Sequence, residues 1–244
     1  MSRIIFVSSG KGGAGKSTVC ALLGKALADM GQKTLIVELD FGLRGQDVIN
    51  GVTDKVLFDI EDIFERRCEP IKAIVQSKLS KELFLLPTSN NLDFKVELSS
   101  LRSLLKGLSS YYDFLILDSP AGLSDGFKIG GALGDMAIIV TEPSLVSIRD
   151  SALCASQLRK LGQQSLRLVI NKSPKNFRPT EAIPDYDAII DGVGAQLLGI
   201  IPEDEKIKSH LGEGYALPPE SKSARASRNI ASRLLGIEAD LLIK

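Results

Sequence analysis

Cysteine is scarce in this chain of 244 residues, which contains only Cys20, Cys68 and Cys154. The three lie far apart, and no pair has the spacing of a metal-binding or redox motif. The sequence therefore lacks the pattern of a disulfide scaffold, and we expect reduced thiols in a cytoplasmic protein.

An excess of charge of one sign and long apolar runs are also missing. The 30 basic and 30 acidic residues give a formal net charge of zero, so no overall field favours nucleic acid. No apolar run approaches the roughly 20 residues that span a membrane, and no signal-peptide pattern precedes the first predicted strand. The chain has no linker-like segment and 44% hydrophobic residues, which favours a single α/β domain over residues 1–244.

The most informative segment is the glycine-rich run Gly10–Ser17, which fits the phosphate-binding pattern G-x-x-x-x-G-K-[ST]. A β-branched apolar run at 4–7 precedes it and predicts a buried strand, and apolar residues at helical spacing follow it at 19–30. Glycines let the loop backbone curl so that its N–H groups converge on phosphate oxygens at a helix N-terminus. We expect Lys16 against the β- and γ-phosphates and the Ser17 hydroxyl on Mg²⁺.

Two further predicted strands end in aspartate. The run 33–39 leads to Asp40, and the run 114–117 leads to Asp118. The carboxyl ends of parallel strands form the ligand-binding edge of such a sheet, where a carboxylate can hold Mg²⁺. Asp118 fits a magnesium ligand of the Walker B type, whereas Asp40 is a candidate both for orienting the attacking water and for holding magnesium.

A second lysine in the loop, Lys11, cannot easily reach phosphates held by its own backbone. The run Lys11–Thr18 resembles the deviant Walker A loop of the MinD/ParA family of ATPases, and Asp118–Gly122 matches the D-[ST]-P-A-G switch segment of MinD proteins. The similarity continues in Ser147–Asp150, a stretch near the family's dimer and regulator surface, although an exposed ion pair between Arg149 and its neighbour is an equal alternative.

The resemblance implies a function and a set of ligands. It implies a switch that binds and hydrolyses ATP with Mg²⁺, dimerises around ATP, and acts in septum placement with MinC-like and MinE-like regulators. Lys11 would cross the dimer interface to the partner's nucleotide, Asn171 would contact the purine edge (or be a turn asparagine), and Pro202 would border the base. The residues expected to carry the chemistry are Lys11, Lys16 and Asp40; those expected on the nucleotide are Gly10, Lys11, Gly12, Gly13, Ala14, Gly15, Lys16, Ser17, Thr18, Asn171 and Pro202; those expected on magnesium are Ser17, Asp40 and Asp118.

Several alternatives come from the same superfamily. A DNA- or cargo-partitioning ParA module should carry a basic patch, and a flagellar-number regulator would use other partners. An iron–sulfur carrier needs a cysteine that bridges a cluster across the dimer, and an amide-forming synthase needs a second substrate pocket. The densest basic cluster is more simply a solvated helix face; it consists of Lys222, Arg225, Arg228 and Arg233.

The pattern as a whole predicts an α/β fold of the P-loop NTPase type, a mostly parallel twisted sheet of about seven or eight strands with helices on both faces. The segment 41–47 is expected to be a mobile loop, and Leu57 is expected on a helical face with residues 60–64. Near the C-terminus, Ile230, Leu234, Ile237 and Leu241 predict a terminal helix packed on the core. The acids at 238 and 240 oppose anionic lipid, so we expect no autonomous membrane binding, and recruitment only through a partner or a missing tail.

Overall fold

The computed structural model describes residues 2–120, 122–180 and 184–241, over which strands and helices alternate. The strands are β1 (Arg3–Ser8), β2 (Thr34–Glu38), β3 (Val75–Gln76), β4 (Leu83–Leu86), β5 (Phe114–Asp118), β6 (Met136–Thr141), β7 (Leu166–Ser173) and β8 (Gln196–Pro202). The helices are α1 (Lys16–Asp29), α2 (Gln46–Ile49), α3 (Ile60–Phe64), α4 (Pro70–Ala73), α5 (Leu98–Leu108), α6 (Asp125–Leu133), α7 (Leu145–Lys160), α8 (Tyr186–Val193), α9 (Lys206–His210) and α10 (Lys222–Leu234).

The strands form one sheet in the order β3-β4-β2-β5-β1-β6-β7-β8. Neighbouring strands are parallel except β3, which pairs antiparallel with β4 at the edge. β2 and β5 are buried along their whole length, as expected for parallel strands covered on both faces. The prediction of a mostly parallel sheet of seven or eight strands is confirmed. The strand β3 was not predicted, because a strand of two residues has no periodic signal.

The sheet divides the core into two layers. Ile5 and Val7 of β1 pack on one face with the buried residues of α1 and α10, whereas Phe6 points to the other face with residues of α5, α6 and α7. There the Phe6 ring meets Phe127 edge-on, with ring centroids 5.7 Å apart. Because β1 is central and buried on both faces, the loop that follows it has a rigid base.

The helix predicted around residues 57–64 is shorter than expected. It begins after Asp59, whose carboxylate accepts from the N–H groups of Glu61 and Asp62, while the Asp62 carboxylate accepts from the Asp59 N–H. This reciprocal capping box fixes the start of α3. Leu57 precedes the cap and is 83% exposed, so its placement on the apolar helix face was wrong.

The terminal helix also ends earlier than predicted. Ile230 and Leu234 are buried as expected, but Gly236 takes a left-handed conformation, and the N–H of Ile237 donates to the Ser232 carbonyl in a Schellman-type stop. Ile237 is 52% exposed and Leu241 is not helical, so both were wrongly assigned to the helix. The last three residues of the predicted tail lie outside the described residues. Among the described helices, none is long and apolar enough to cross a membrane.

Candidate nucleotide-binding site

The loop between β1 and α1 is shaped by glycine and held by β7. Gly13 and Gly15 have φ angles of 85° and 89°, which side-chain-bearing residues adopt only with strain. The Gly13 carbonyl accepts from Lys172 Nζ at 2.6 Å, and the Ala14 carbonyl accepts from Asn171 Nδ2 at 2.8 Å. Because a trans peptide points its N–H opposite to its C=O, the following N–H groups face away from β7, as a phosphate-binding loop requires.

Helix α7 packs directly on the start of this loop. A Cβ placed on Gly10 would lie 2.2 Å from the backbone carbonyl carbon of Asp150, so only glycine permits this approach. Asp150 therefore meets the loop through its backbone. Its side chain lies 3.8 Å from Arg149 Nε, and because the Arg149 side chain is 83% exposed, this ion pair is of little stabilising value.

Lys16 is the most unusual charge of the site. It is only 7% exposed, and it forms no hydrogen bond or ion pair with any residue in the described parts of the chain. Its charge lowers the pKa of both Asp40 and Asp118, which places it close to both carboxylates. The side chain that carries this ammonium is largely buried and has no hydrogen-bonded partner among the described residues, so an anionic ligand would stabilise it.

One carboxylate oxygen of Asp118 has no hydrogen-bond partner among the described residues. Its Oδ2 accepts from Gln46 Nε2 at 2.7 Å, whereas its buried Oδ1 has no hydrogen-bond partner in the described structure. Burial raises the pKa of Asp118, and the nearby Gln46 and Ser17 side chains oppose that rise. The Ser17 hydroxyl lies close enough to this carboxylate to lower its pKa. A buried, unpartnered carboxylate oxygen next to a hydroxyl is an oxygen donor set that fits Mg²⁺.

Asp40 lies beside the same group of charges. Burial raises its pKa, the Lys16 ammonium lowers it, and the Asp118 carboxylate raises it. Asp40 also lines a cleft of about 700 Å³ together with Pro120 of the switch segment. The structure thus brings together Lys16, Asp40 and Asp118 from three separate segments. Ala121 of the switch segment lies outside the described residues.

Lys11 forms an ion pair with a residue of its own chain. Its Nζ lies 3.4 Å from Glu142 Oε2, and the other oxygen of Glu142 is 2.7 Å from Lys172 Nζ. Burial raises the pKa of Glu142, but the two lysines outweigh it and leave the pKa below its ordinary value. The predicted reach of Lys11 across a dimer interface stays a prediction.

Some polar groups of the residues predicted to contact the base already form hydrogen bonds within the chain. Asn171 is buried, and one of its two amide N–H groups donates to the loop, which leaves the second N–H and Oδ1 for a purine edge. The Pro202 carbonyl accepts from the Ser223 hydroxyl at 3.1 Å, and Thr18 lies in the first turn of α1. Contacts of these three residues with a nucleotide stay predictions.

Two residues that the sequence reasoning missed support the site. Gln46 begins α2 and is fully buried, so the end of the segment 41–47 is not a mobile loop as expected. Glu38 Oε1 accepts from the N–H groups of Gly45 at 2.8 Å and Gln46 at 2.9 Å, and burial raises the pKa of Glu38 to about 7. The available signal was an acid inside the apolar run from Ile36 to Leu39.

The cysteines relevant to iron transfer and the basic residues relevant to DNA binding lie in different parts of the fold. Cys20 and Cys154 are fully buried. Of the basic cluster, Lys222, Arg225 and Arg228 are exposed on α10, whereas Arg233 donates to the carbonyls of Leu198 and Ala239.

A parallel sheet with a glycine-rich loop after its central strand, a lysine in that loop and an aspartate at the end of the adjacent strand defines a P-loop nucleotide-binding protein. A ParA family model, described as a NUBPL iron-transfer P-loop NTPase, matches residues 1–235. The septum site-determining protein MinD of Bacillus subtilis is 33% identical, over 100% of this chain and 92% of that protein. MinD of Synechocystis is 34% identical over 99% and 92%.

Solved structures agree. MinD in the MinC:MinD complex of Aquifex aeolicus superposes with a TM-score of 0.90 at 31% identity, covering 98% of both chains. MinD of Pyrococcus horikoshii, solved with Mg-ADP, superposes with a TM-score of 0.85 at 31% identity, over 99% of this chain and 100% of that one. The chain belongs to the MinD/ParA family of P-loop NTPases.

Proposed function

We propose that this chain is an ATP-driven switch of septum site placement in cell division, which binds ATP with Mg²⁺, dimerises around the nucleotide and hydrolyses it slowly unless stimulated. The observation that carries the proposal is Lys16, a residue that is 7% exposed, forms no hydrogen bond or ion pair with a described residue, and lies beside the carboxylates of Asp40 and Asp118. Relatives named as septum site-determining proteins, one of them solved with Mg-ADP, support the biological role.

Each residue has a distinct task in this proposal. Lys16 binds the β- and γ-phosphates, and Ser17 and Asp118 hold the cation. The cation, when bound, neutralises charge that develops on the phosphates. Asp40 orients the attacking water, and Lys11 of the second protomer stabilises the transferred phosphoryl group as an arginine finger does in other NTPases.

The first partner in this proposal is a second copy of this chain. The MinC:MinD complex of Aquifex aeolicus supports a MinC-like protein as a further partner, and the family resemblance adds a MinE-like stimulator. The regulator surface would include the exposed start of α7, where Leu145 and Val146 are each 56% exposed.

The other candidate functions have less support. A DNA-partitioning role would depend on Lys222, Arg225 and Arg228, a small patch on a chain with a formal net charge of zero. Iron transfer would need cysteines at the dimer surface, but Cys20 and Cys154 are fully buried, and the partly buried Cys68 lies between α3 and α4, outside the loop and the switch segment.

Calorimetric titration with Mg-ATP tests the binding step. We expect Lys16→Ala to weaken ATP binding at least about 100-fold, because it removes a charge-assisted contact in a desolvated loop. Lys25→Ala on the same helix is the matched control, since Lys25 pairs with Asp29 away from the loop and should leave the affinity unchanged. Equal affinities for Lys16→Ala and the wild type would contradict the proposal.

A complementation assay tests the biological role. Cells that lack the gene should place septa away from midcell, and the wild-type gene should restore placement whereas Lys16→Ala should not. A change in flagellar number or in plasmid retention, with normal septa, would instead support the alternatives.

A further inference from the structure

The side-chain amide of Gln46 has one fixed orientation. Its Nε2 donates to Asp118 Oδ2 at 2.7 Å and to the Ser17 carbonyl at 3.0 Å, while its Oε1 accepts from Asn50 Nδ2 at 3.0 Å. A flipped amide would face both acceptors with its oxygen and lose all three bonds. The pattern is therefore satisfied in one way only.

Gln46 is in turn held by a buried network. Its N–H donates to Glu38 Oε1 at 2.9 Å, and its carbonyl accepts from Asn50 Nδ2 at 2.8 Å. Asn50 Oδ1 accepts from the Ser77 hydroxyl at 2.7 Å. Gln46 and Asn50 are both fully buried, so none of these bonds competes with water.

The two Nε2 bonds link Ser17 and Asp118, two of the three residues expected to hold the cation. One bond occupies Asp118 Oδ2, which leaves Oδ1 as the buried oxygen without a partner. The other bond joins the backbone of Ser17, so the same amide ties the helix turn that bears the hydroxyl to the carboxylate. Groups that orient a ligand residue in this way typically change metal affinity 10–100-fold when removed.

We propose that Gln46 is a positioning residue for the Mg²⁺ site: it fixes the Asp118 carboxylate relative to Ser17 and connects that site to the segment that follows Asp40. The inference rests on the Mg-ATP binding proposed above. It predicts a defect that is confined to the cation-dependent part of nucleotide binding, since the hydrogen bonds of Gln46 within the described structure go to Ser17 O, Asp118, Glu38 and Asn50 and none goes to Lys16 or to a loop N–H.

The test separates nucleotide binding with and without the cation. A fluorescent ATP analogue is bound in EDTA, and Mg²⁺ is then titrated while the signal is followed. We expect Gln46→Leu to raise the Mg²⁺ concentration for half-saturation about 10–100-fold and to change the affinity in EDTA by less than about twofold. Gln163→Leu is the matched control: Gln163 is also buried and donates through Nε2 to the Gly134 carbonyl at 2.6 Å, so its loss should leave the Mg²⁺ dependence unchanged.

An unchanged Mg²⁺ half-saturation in Gln46→Leu would overturn the inference, as would equal losses with and without Mg²⁺. If circular dichroism shows that Gln46→Leu does not fold, Asn50→Ala takes its place. That variant keeps the Gln46 amide but removes the partner that orients it, and it should shift the half-saturation in the same direction; no shift would equally overturn the inference. A wild type without any Mg²⁺-dependent signal would contradict the proposed function itself.

Discussion

Lys11 and Glu142 form an ion pair within one chain, with Nζ 3.4 Å from Oε2. The same carboxylate binds Lys172, which also donates to the Gly13 carbonyl, so Glu142 links the loop's first lysine to β7. The Lys11 side chain is 36% exposed, and pairs of this kind contribute about 1 kcal/mol or less. Release of Lys11 toward a second protomer therefore costs little.

Removal of this pair should favour the dimer. We expect Glu142→Gln to lower the ATP-dependent dimer dissociation constant up to about fivefold, because Lys11 no longer has a charged partner in its own chain. Analytical ultracentrifugation with ATP measures this constant, with Glu82→Gln, an exposed acid at the other edge of the sheet, as the control. A weaker dimer in Glu142→Gln would show that Glu142 itself belongs to the interface.

The Glu38 carboxyl should make stability depend on pH. Burial raises its folded-state pKa from 4.5 to about 7, so between these values the folded chain holds a proton that the unfolded chain has lost. The free energy of unfolding then falls as pH rises through this window, by about 3 kcal/mol from this group. The Glu38→Gln variant has no titrating carboxyl at this position, so its free energy of unfolding should lack this part of the decrease with pH.

Urea unfolding from pH 4.5 to 7.5, without nucleotide or magnesium, measures the effect. The stability difference between wild type and Glu38→Gln should shift in favour of the variant as pH rises, whereas Glu82→Gln should follow the wild type. Parallel pH profiles for wild type and Glu38→Gln would contradict the raised pKa.

Most of the fold was predictable because its signals are local. Short sequence patterns mark the loop glycines and the two strands that lead to Asp40 and Asp118. Parallel pairing then brings the ends of these strands and the loop to one edge of the sheet. Gln46 was not predictable, because its role depends on Glu38 and Asp118, 8 and 72 residues away. The end of α10 was misjudged at Ile237 because apolar spacing continued past Gly236, whose left-handed conformation stops the helix.

The segment after α10 should not bind lipid by itself. Ile237 is 52% exposed, and Glu238 and Asp240 are exposed beside it, so anionic headgroups would meet negative charge. We expect the chain to remain in the supernatant after co-sedimentation with anionic vesicles, with ATP or ADP. A variant with Glu238→Lys and Asp240→Lys should pellet more, and robust pelleting of the wild type would contradict the prediction.

ATP should change the oligomeric state of this chain, and light scattering with ATP and with ADP measures that state as molar mass. The wild type should double its mass with ATP only. Asp40→Ala should also double its mass with ATP and persist as a dimer, because it loses water positioning and not the interface, whereas Lys11→Ala should remain a monomer. A Lys11→Ala variant that dimerises and hydrolyses ATP like the wild type would contradict an ATP-dependent dimer in which Lys11 reaches the second protomer's nucleotide.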